Sequence, residues 1–582
     1  MLLTKLITLA VAGVLQVHGQ SEWDGEAEFI PPSILIPVFV RNKEHALPYF
    51  FGGLERQNYP KSRIRLWFVT DHNADNSLEV IKAWKEAWEM EYMDIKIEIR
   101  DPRKGHWNDA QTELSWSPNR YDHILKLRQQ ALNHARNMLV DYLFMIDADN
   151  ILVQPSLLRK LVLRDKPIVG PMLETGVPFS NFWSNQNTET GYYERGNDYY
   201  DIRYYEQEFL NVHKVPMLHS CYLIDMNRRK SQLIQYWPRI GKYSDELPYW
   251  PMDDIIYFTG MAKLNKIDLW VDNTMAAGWF PYPVQSGELP DEVAMFNHML
   301  MEMNTLPPVG WDMIPQASAA TPPVWPVQTK HGLSEIFVIN LERRVDRKER
   351  MDFCMRIQGI KYTLVPAVDG KALTQEDIDN LGIRQLPGFS DPHKPRTITR
   401  GEVGCFLSHF YLWQKMEPGE IYLVLEDDVR FGPDFVVDLR RVLREAKTIE
   451  KWDLIYVGRK RGPGADNDVE VMVTENISNV TYSFWTLGYI ITGEAAQVLV
   501  DEKPLEKLIP VDEYLPIMYG AHKIDSYTKA FKNKNLKAFS ANPVLVQPTH
   551  YTGQENYFTD TEPSTDDDIL QYENLNDAKE EL

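Results

Sequence analysis

The 582-residue chain has few cysteines, too little positive charge to offset its acids, and no long apolar run beyond its N-terminus. Only Cys221, Cys354 and Cys405 occur, each beside apolar or aromatic residues. Three scattered thiols exclude a disulfide scaffold and a Cys-rich zinc motif; buried free thiols, with at most one disulfide, are expected. Lys and Arg number 62 against 83 Asp and Glu, a net charge of −21. Nucleic acid, whose phosphates need a basic face, is thereby excluded as a partner. No stretch after the N-terminus approaches the roughly 18 apolar residues of a membrane span, so none is expected.

What is present starts with the two ends. "MLLTKLITLAVAGVLQVHGQ" has one early Lys, an apolar stretch from Leu6 to Leu15 and small residues near Gly19. It reads as a secretory signal peptide over 1–20. The last four residues, "KEEL" (Lys579 to Leu582), resemble the KDEL retrieval signal and close an acidic tail over 553–582. Together the ends predict a lumenal resident of the endoplasmic reticulum with a KDEL-type retrieval receptor as partner. Two overlapping sequons, Asn476 and Asn479 in "NISNVT", suit that compartment.

A Pro-rich break over 301–332 separates two long segments, 30–300 and 333–552, and reads as a stiff linker or a wrapped connection. In the first segment "SILIPVFVRN", "RIRLWFVTDHNADNS" and "VDYLFMIDADNILV" predict buried strands, and "HILKLRQQALNHARNML" a helix. In the second, "EIFVINLERRVDRKERM" predicts strand then helix, "GEVGCFLSHFYLWQKM" a helix, and "EIYLVLEDDVRF" and "WDLIYVGR" strands. Strands alternating with helices give an α/β chain with two doubly wound, mostly parallel sheets.

Two strands end in acids. Asp147 and Asp149 follow "YLFMI", and ligands of open α/β sheets bind beyond such carboxyl ends. Carboxylates in this pattern suit hard cations such as Mn²⁺ or Mg²⁺ bridging a diphosphate. This combination resembles the GT-A nucleotide-sugar glycosyltransferases. The resemblance implies a uridine contact at Asp71 in "FVTDHN" and metal and diphosphate contacts at Asp147 and Asp149. It places Asp253 and Asp254 where such enzymes carry a catalytic base, although acids there also suit a helix cap.

The second acidic end is Glu426, Asp427 and Asp428 in "LVLEDDVRF". With "IFVINLERRVDRKERM", "VPAVDG", "GEVGCFLSH" and "PVDEYLP", it resembles glycosyltransferase family 25, whose simpler members are single-domain bacterial galactosyltransferases. The whole chain, with its signal peptide and KDEL-like end, is similar to that family's procollagen galactosyltransferases. The resemblance implies two tandem GT-A-like, Rossmann-like domains and inverting transfer of galactose from UDP-galactose to hydroxylysine of collagen or procollagen chains. It implies Mn²⁺ at Glu426, Asp427 and Asp428, with other divalent cations allowed at the N-terminal site.

It further implies nucleobase and diphosphate contacts at Asn340, Arg343 and Arg344, and a functional His409. Asp427 is a metal ligand or a ribose contact. Arg347 reads as part of a solvated helix face. An inverting transfer needs a base, for which Asp512 is preferred over Glu513. Because the single-domain relatives match the C-terminal half, catalysis is expected there, with the N-terminal domain a second nucleotide-sugar and metal site. A bifunctional transferase and a non-catalytic lumenal or adhesion protein are the alternatives, and a homodimer is compatible with each.

Overall fold

The computed structural model describes residues 31–101, 107–187, 192–239, 253–284, 287–305, 315–391, 396–462, 469–551 and 559–561. The signal-like segment and the KEEL end lie outside these residues. The chain forms two compact units, Met1–Met299 with Pro307–Val324, and Leu300–Leu306 with Trp325–Leu582. Among the described residues, no helix is long and apolar enough to cross a membrane. Cys221, Cys354 and Cys405 are all free thiols.

The first unit is built on an eight-stranded sheet. Its strands are Ile34–Val40 (β1), Ile64–Asp71 (β2), Asp94–Asp101 (β3), Tyr142–Ile146 (β4), Ile168–Pro171 (β5), Val212–Val215 (β6), Cys221–Asp225 (β7) and Leu269–Asp272 (β8). Their spatial order is β6-β8-β5-β7-β4-β1-β2-β3. β1 pairs parallel with β2 and β4, so Asp71 and the Asp147 turn leave the sheet at the same edge. β7 runs antiparallel between β4 and β5, which makes the sheet mixed.

The central strands are buried on both faces, which is why they read as continuous apolar runs. Helix Leu47–Glu55 (α1) covers one face, where the Phe51 ring stacks on Trp84 at 4.4 Å. Gly52 of α1 has no room for a side chain, since a Cβ would lie 2.0 Å from the Gln316 carbonyl. Residues 316–318 of the Pro-rich segment thus lie along α1, fixed by the Ser318 N–H donating to the Pro48 carbonyl at 2.8 Å. Helix Pro118–Asn137 (α2) starts where the Ser117 hydroxyl accepts the Arg120 N–H and Pro118 fills the first position.

The second unit has a seven-stranded sheet. Its strands are Glu335–Asn340 (β9), Thr363–Pro366 (β10), Ile421–Glu426 (β11), Leu454–Arg461 (β12), Ile477–Asn479 (β13), Ser483–Thr492 (β14) and Ala538–Ala541 (β15), in the order β10-β9-β11-β14-β12-β15-β13. β9 and β11 are parallel, with Ile339 opposite Glu426, so Asn340 and the acidic triplet emerge together. β14 lies antiparallel to β11 and β12. Across from Arg459 of β12, β14 places three residues, Trp485, Thr486 and Leu487, between the paired positions Phe484 and Gly488. This bulge lifts them off the ladder.

Helix Arg400–Trp413 (α3) is opened by a capping box in which Thr399 and Glu402 satisfy each other's backbone N–H groups. Its Gly404 lies on the backbone of the "VPAVDG" turn: a Cβ would meet the Val368 carbonyl at 2.5 Å and the Gly370 nitrogen at 2.7 Å. Ser408 completes the seam by accepting the Val368 N–H at 2.8 Å. Two of the sequence motifs are therefore one backbone-to-backbone contact. Gly404→Ala forces that contact apart and should cost about 2 kcal/mol. For a domain of this size that is about 4–8 °C in melting temperature, measurable by calorimetry.

Candidate functional site

In the second unit β11 ends at Glu426, and Asp427 and Asp428 form a turn before the chain resumes as a strand at Val429. On an extended strand successive side chains point to opposite faces; the turn removes that restriction. Each carboxylate then meets a different environment.

Glu426 accepts the Thr486 hydroxyl and faces His409 Nε2 at 3.6 Å. Burial opposes its charge, but the contacts from His409 and Thr486 outweigh burial and hold it below the usual glutamate range. His409 is 1 % exposed, and its Nδ1 lies 2.8 Å from the Tyr489 hydroxyl. That hydroxyl already accepts the Trp413 indole N–H at 3.0 Å. With the indole donating, the Tyr489 hydroxyl has its own proton to give to His409 Nδ1, an arrangement that would set His409 Nε2–H toward Glu426. Cys405 joins His409 and Glu426 in one group, but burial raises its thiol far above neutrality and keeps it protonated.

Asp427 is buried, with one oxygen accepting from Asn340 at 2.7 Å and the other from Arg347 at 2.8 Å. Asp428 lies 3.4 Å from Arg347, while its Oδ1 is buried with no hydrogen-bond partner among the described residues. Burial, with Glu426 and Asp427 adding repulsion, pushes Asp428 up to about 6. Arg350 is spent on backbone, donating to the carbonyls of Val429 at 2.6 Å and of Asp427. A crowded carboxylate set with an orphaned oxygen matches the oxygen-donor chemistry of a hard divalent cation. Glu426 and Asp428 are the residues with oxygens available to hold it.

Arg347 is not a solvated surface residue as its sequence setting suggests; its side chain is 16 % exposed and clamps two of the acids. Arg343 pairs with Asp369 at 2.8 Å, and both Arg343 and Arg344 reach Asp560, at 2.8 and 2.9 Å. The arginine pair offered for a diphosphate thus holds a carboxylate of the chain itself.

Asp512 lies in the first turn of helix Val511–Met518 (α4), with the Trp485 backbone N–H favouring its charged form. Burial, then the charges of Glu513, Glu402 and Glu426, push it up to about 8. Its neighbour Glu513 is committed elsewhere, to the Tyr482 hydroxyl and His522, each at 2.7 Å. Burial, and then the charges of nearby Arg347 and Arg350, lower the pKa of His550.

The first unit gathers the same residue types with a different outcome. Asp147 faces Arg128 at 3.5 Å, and Asp149 accepts from Lys43 at 2.6 Å. Lys43 also binds Glu292. Asp71 bonds His123 at 2.7 Å and His72 at 3.1 Å, and these contacts hold it below the usual range despite burial. Asp253 is a helix cap, accepting the N–H groups of Ile255 and Ile256, while Asp254 pairs with Arg128 at 2.7 Å.

Sequence reasoning missed Trp485, Thr486 and the Arg347 clamp. Arg343, Arg347 and Arg350 recur at helical spacing, a signal that could have placed Arg347 and Arg350 on one face. Thr486 lies 60 residues from Glu426, and nothing local marks it.

Comparison with known proteins follows the same two-part division. A family model described as glycosyltransferase family 25, N-terminal domain, matches residues 31–300, and one described as glycosyltransferase family 25 (LPS biosynthesis protein) matches 333–515. The chain is 38% identical to procollagen galactosyltransferase 1 of Danio rerio over 94% of this chain and 89% of that protein. It is 39% identical to procollagen galactosyltransferase 2 of Homo sapiens over 94% of this chain and 87% of that protein. A glycosyltransferase 25 family member of Aedes aegypti is 40% identical over 93% and 88%.

The raised Asp512 generates a stability prediction. Below about pH 4 the carboxyl is protonated in both folded and unfolded chains. Between there and about 8 the unfolded chain loses the proton while the folded one keeps it, so stability falls as pH rises. Asp512→Asn, which keeps an acceptor for Trp485, should therefore raise the melting temperature in chelator at pH 7.5. The gain should shrink steadily toward pH 4.

Proposed function

The chain belongs to glycosyltransferase family 25, and from that membership we propose that it transfers galactose from UDP-galactose to the hydroxyl of hydroxylysine in collagen chains. The acceptor and sugar rest on the names of relatives that span nearly the whole chain. We place the reaction in the second domain and the enzyme in the lumen of the endoplasmic reticulum, the latter on the signal-like start and the KEEL end.

The observation that carries the domain assignment is the unpartnered oxygen of Asp428. In the first unit Asp147 and Asp149 face Arg128 and Lys43, cations they share with Asp254 and Glu292, and burial raises Asp147 to about 6. In the second, Arg347 serves Asp427 and Asp428 together, and an oxygen of Asp428 stays unpartnered. Glu426 and Asp428 would hold the divalent ion, Mn²⁺ by family likeness. Such an ion, when bound, supplies Lewis-acid neutralisation of the leaving diphosphate.

The remaining chemistry belongs to the chain. His409 and Thr486 orient Glu426 and keep it ionised. Asn340 and Arg347 fix Asp427 and so the turn that presents its neighbours. The Asp512 carboxylate takes the proton of the attacking hydroxyl as the new bond forms. A raised pKa suits it, because a base works best when its proton affinity lies near the working pH. The first domain, with Asp71, Asp147 and Asp149, is the second nucleotide-sugar and metal site of this reading.

Transfer to a hydroxylysine-containing collagen peptide, read by UDP release and by peptide mass, tests the proposal. Wild type should add one hexose per hydroxylysine. Asp428→Ala and Glu426→Ala should each lower transfer by at least about 100-fold, as loss of a group that stabilises transition-state charge does. Asp147→Ala, in a folded protein, should retain transfer. Two hexoses per site would favour the bifunctional alternative, and the reverse mutational pattern would move catalysis to the first domain.

A further inference from the structure

Trp485 stands out from the rest of β14. Its φ of 61° lies in the left-handed region, which glycine adopts freely and a bulky L-residue disfavours. It opens the bulge, with three residues facing one across the ladder. A large side chain kept in a disfavoured backbone, inside a bulge, next to a reactive cluster, is the pattern of a residue under functional demand.

Both halves of the residue have a use. Its N–H lies toward the Asp512 carboxylate and favours that group's charged form, and the next residue, Thr486, bonds Glu426. One dipeptide therefore serves both the base and a metal-side carboxylate. The ring is only half-buried, with the Tyr551 ring 5.9 Å away and the Lys460 ammonium 4.8 Å from its centroid. Tyr551 itself is 42% exposed. Its segment is anchored at the same place, since the Thr549 N–H donates to the Asp428 carbonyl at 2.8 Å. The half-buried Trp485 ring and the exposed Tyr551 ring thus stand on two segments whose backbones reach Asp512 and the Asp428 carbonyl.

We propose that Trp485, with Tyr551, is the acceptor-positioning surface of the second domain, on which the side chain carrying the attacking hydroxyl lies against Asp512. The occupant is an alkyl side chain with a polar end. Such a chain covers an aromatic face with its methylenes, and the ring's electron-rich face already accepts an ammonium from Lys460. This rests on the reading of the second domain as catalytic.

Trp485→Gly separates the two halves, because glycine keeps the left-handed backbone and its N–H while removing the ring. With the full chain and a hydroxylysine-containing peptide, the acceptor KM should rise about tenfold and the donor KM should move less than twofold. Trp485→Phe should recover most of the loss, and Tyr551→Ala, at an exposed ring, should raise the acceptor KM severalfold. An unchanged acceptor KM in both Trp485→Gly and Tyr551→Ala overturns the assignment. So does an equal loss in Trp485→Phe and Trp485→Gly, or a donor KM that rises as much as the acceptor KM. Asp428→Asn is run alongside. If it retains full transfer, the catalytic reading of this domain fails and the Trp485 assignment with it. If it is inactive while Trp485→Gly and Tyr551→Ala behave as wild type, only the assignment fails.

Discussion

The second domain is organised around mutual repulsion among Glu426, Asp427 and Asp428, which a buried strand end would not otherwise tolerate. The surrounding structure answers each charge separately. His409 and Thr486 serve Glu426, Asn340 serves Asp427, and Arg347 is shared by Asp427 and Asp428. Helix α3 must sit where it does because it brings His409 to the sheet. Its closeness in turn needs Gly404 and Gly370, which let two backbones meet. The oxygen left without a partner among the described residues, Oδ1 of Asp428, is the feature of the cluster that asks for something from outside the chain.

The two halves of the chain show how one architecture yields two electrostatic results. Both place acids beyond the carboxyl ends of parallel strands, and both follow them with an antiparallel strand. In the first domain Lys43 is shared by Asp149 and Glu292 and Arg128 by Asp147 and Asp254, while Asp253 caps a helix. In the second Arg347 is shared by Asp427 and Asp428, Arg350 is spent on carbonyls, and one oxygen of Asp428 is left without a partner among the described residues. The difference lies in which side chains the neighbouring helices project.

The strands and helices were legible because each is a long apolar or amphipathic run, and burial of both sheet faces leaves that mark in the sequence. The acidic ends were legible because carboxylates after such a run are anomalous. Asp253 read equally as base and cap, since the same residue type serves both; only the N–H groups of Ile255 and Ile256 distinguish them. Arg347 was misjudged because charge in a helix looks solvated until a partner 80 residues away is known. Trp485 and Thr486 carry no local signal at all. Their importance comes from a bulge, a property of how two strands are registered and not of either strand alone.

That bulge has a consequence for how such a site can change over generations. The two extra residues of β14 between Phe484 and Gly488 are followed by one extra residue of β12, Val457, between Tyr456 and Gly458, so the pair slips by one residue before regular pairing resumes with Tyr489 opposite Tyr456. Tyr489, Ile490 and Ile491 lie inward of both irregularities and are completely buried. The slip is absorbed at the outer end of the strand, and the buried residues keep a regular register with both neighbouring strands. The strand supports divergence of its outer end at little risk to its inner one.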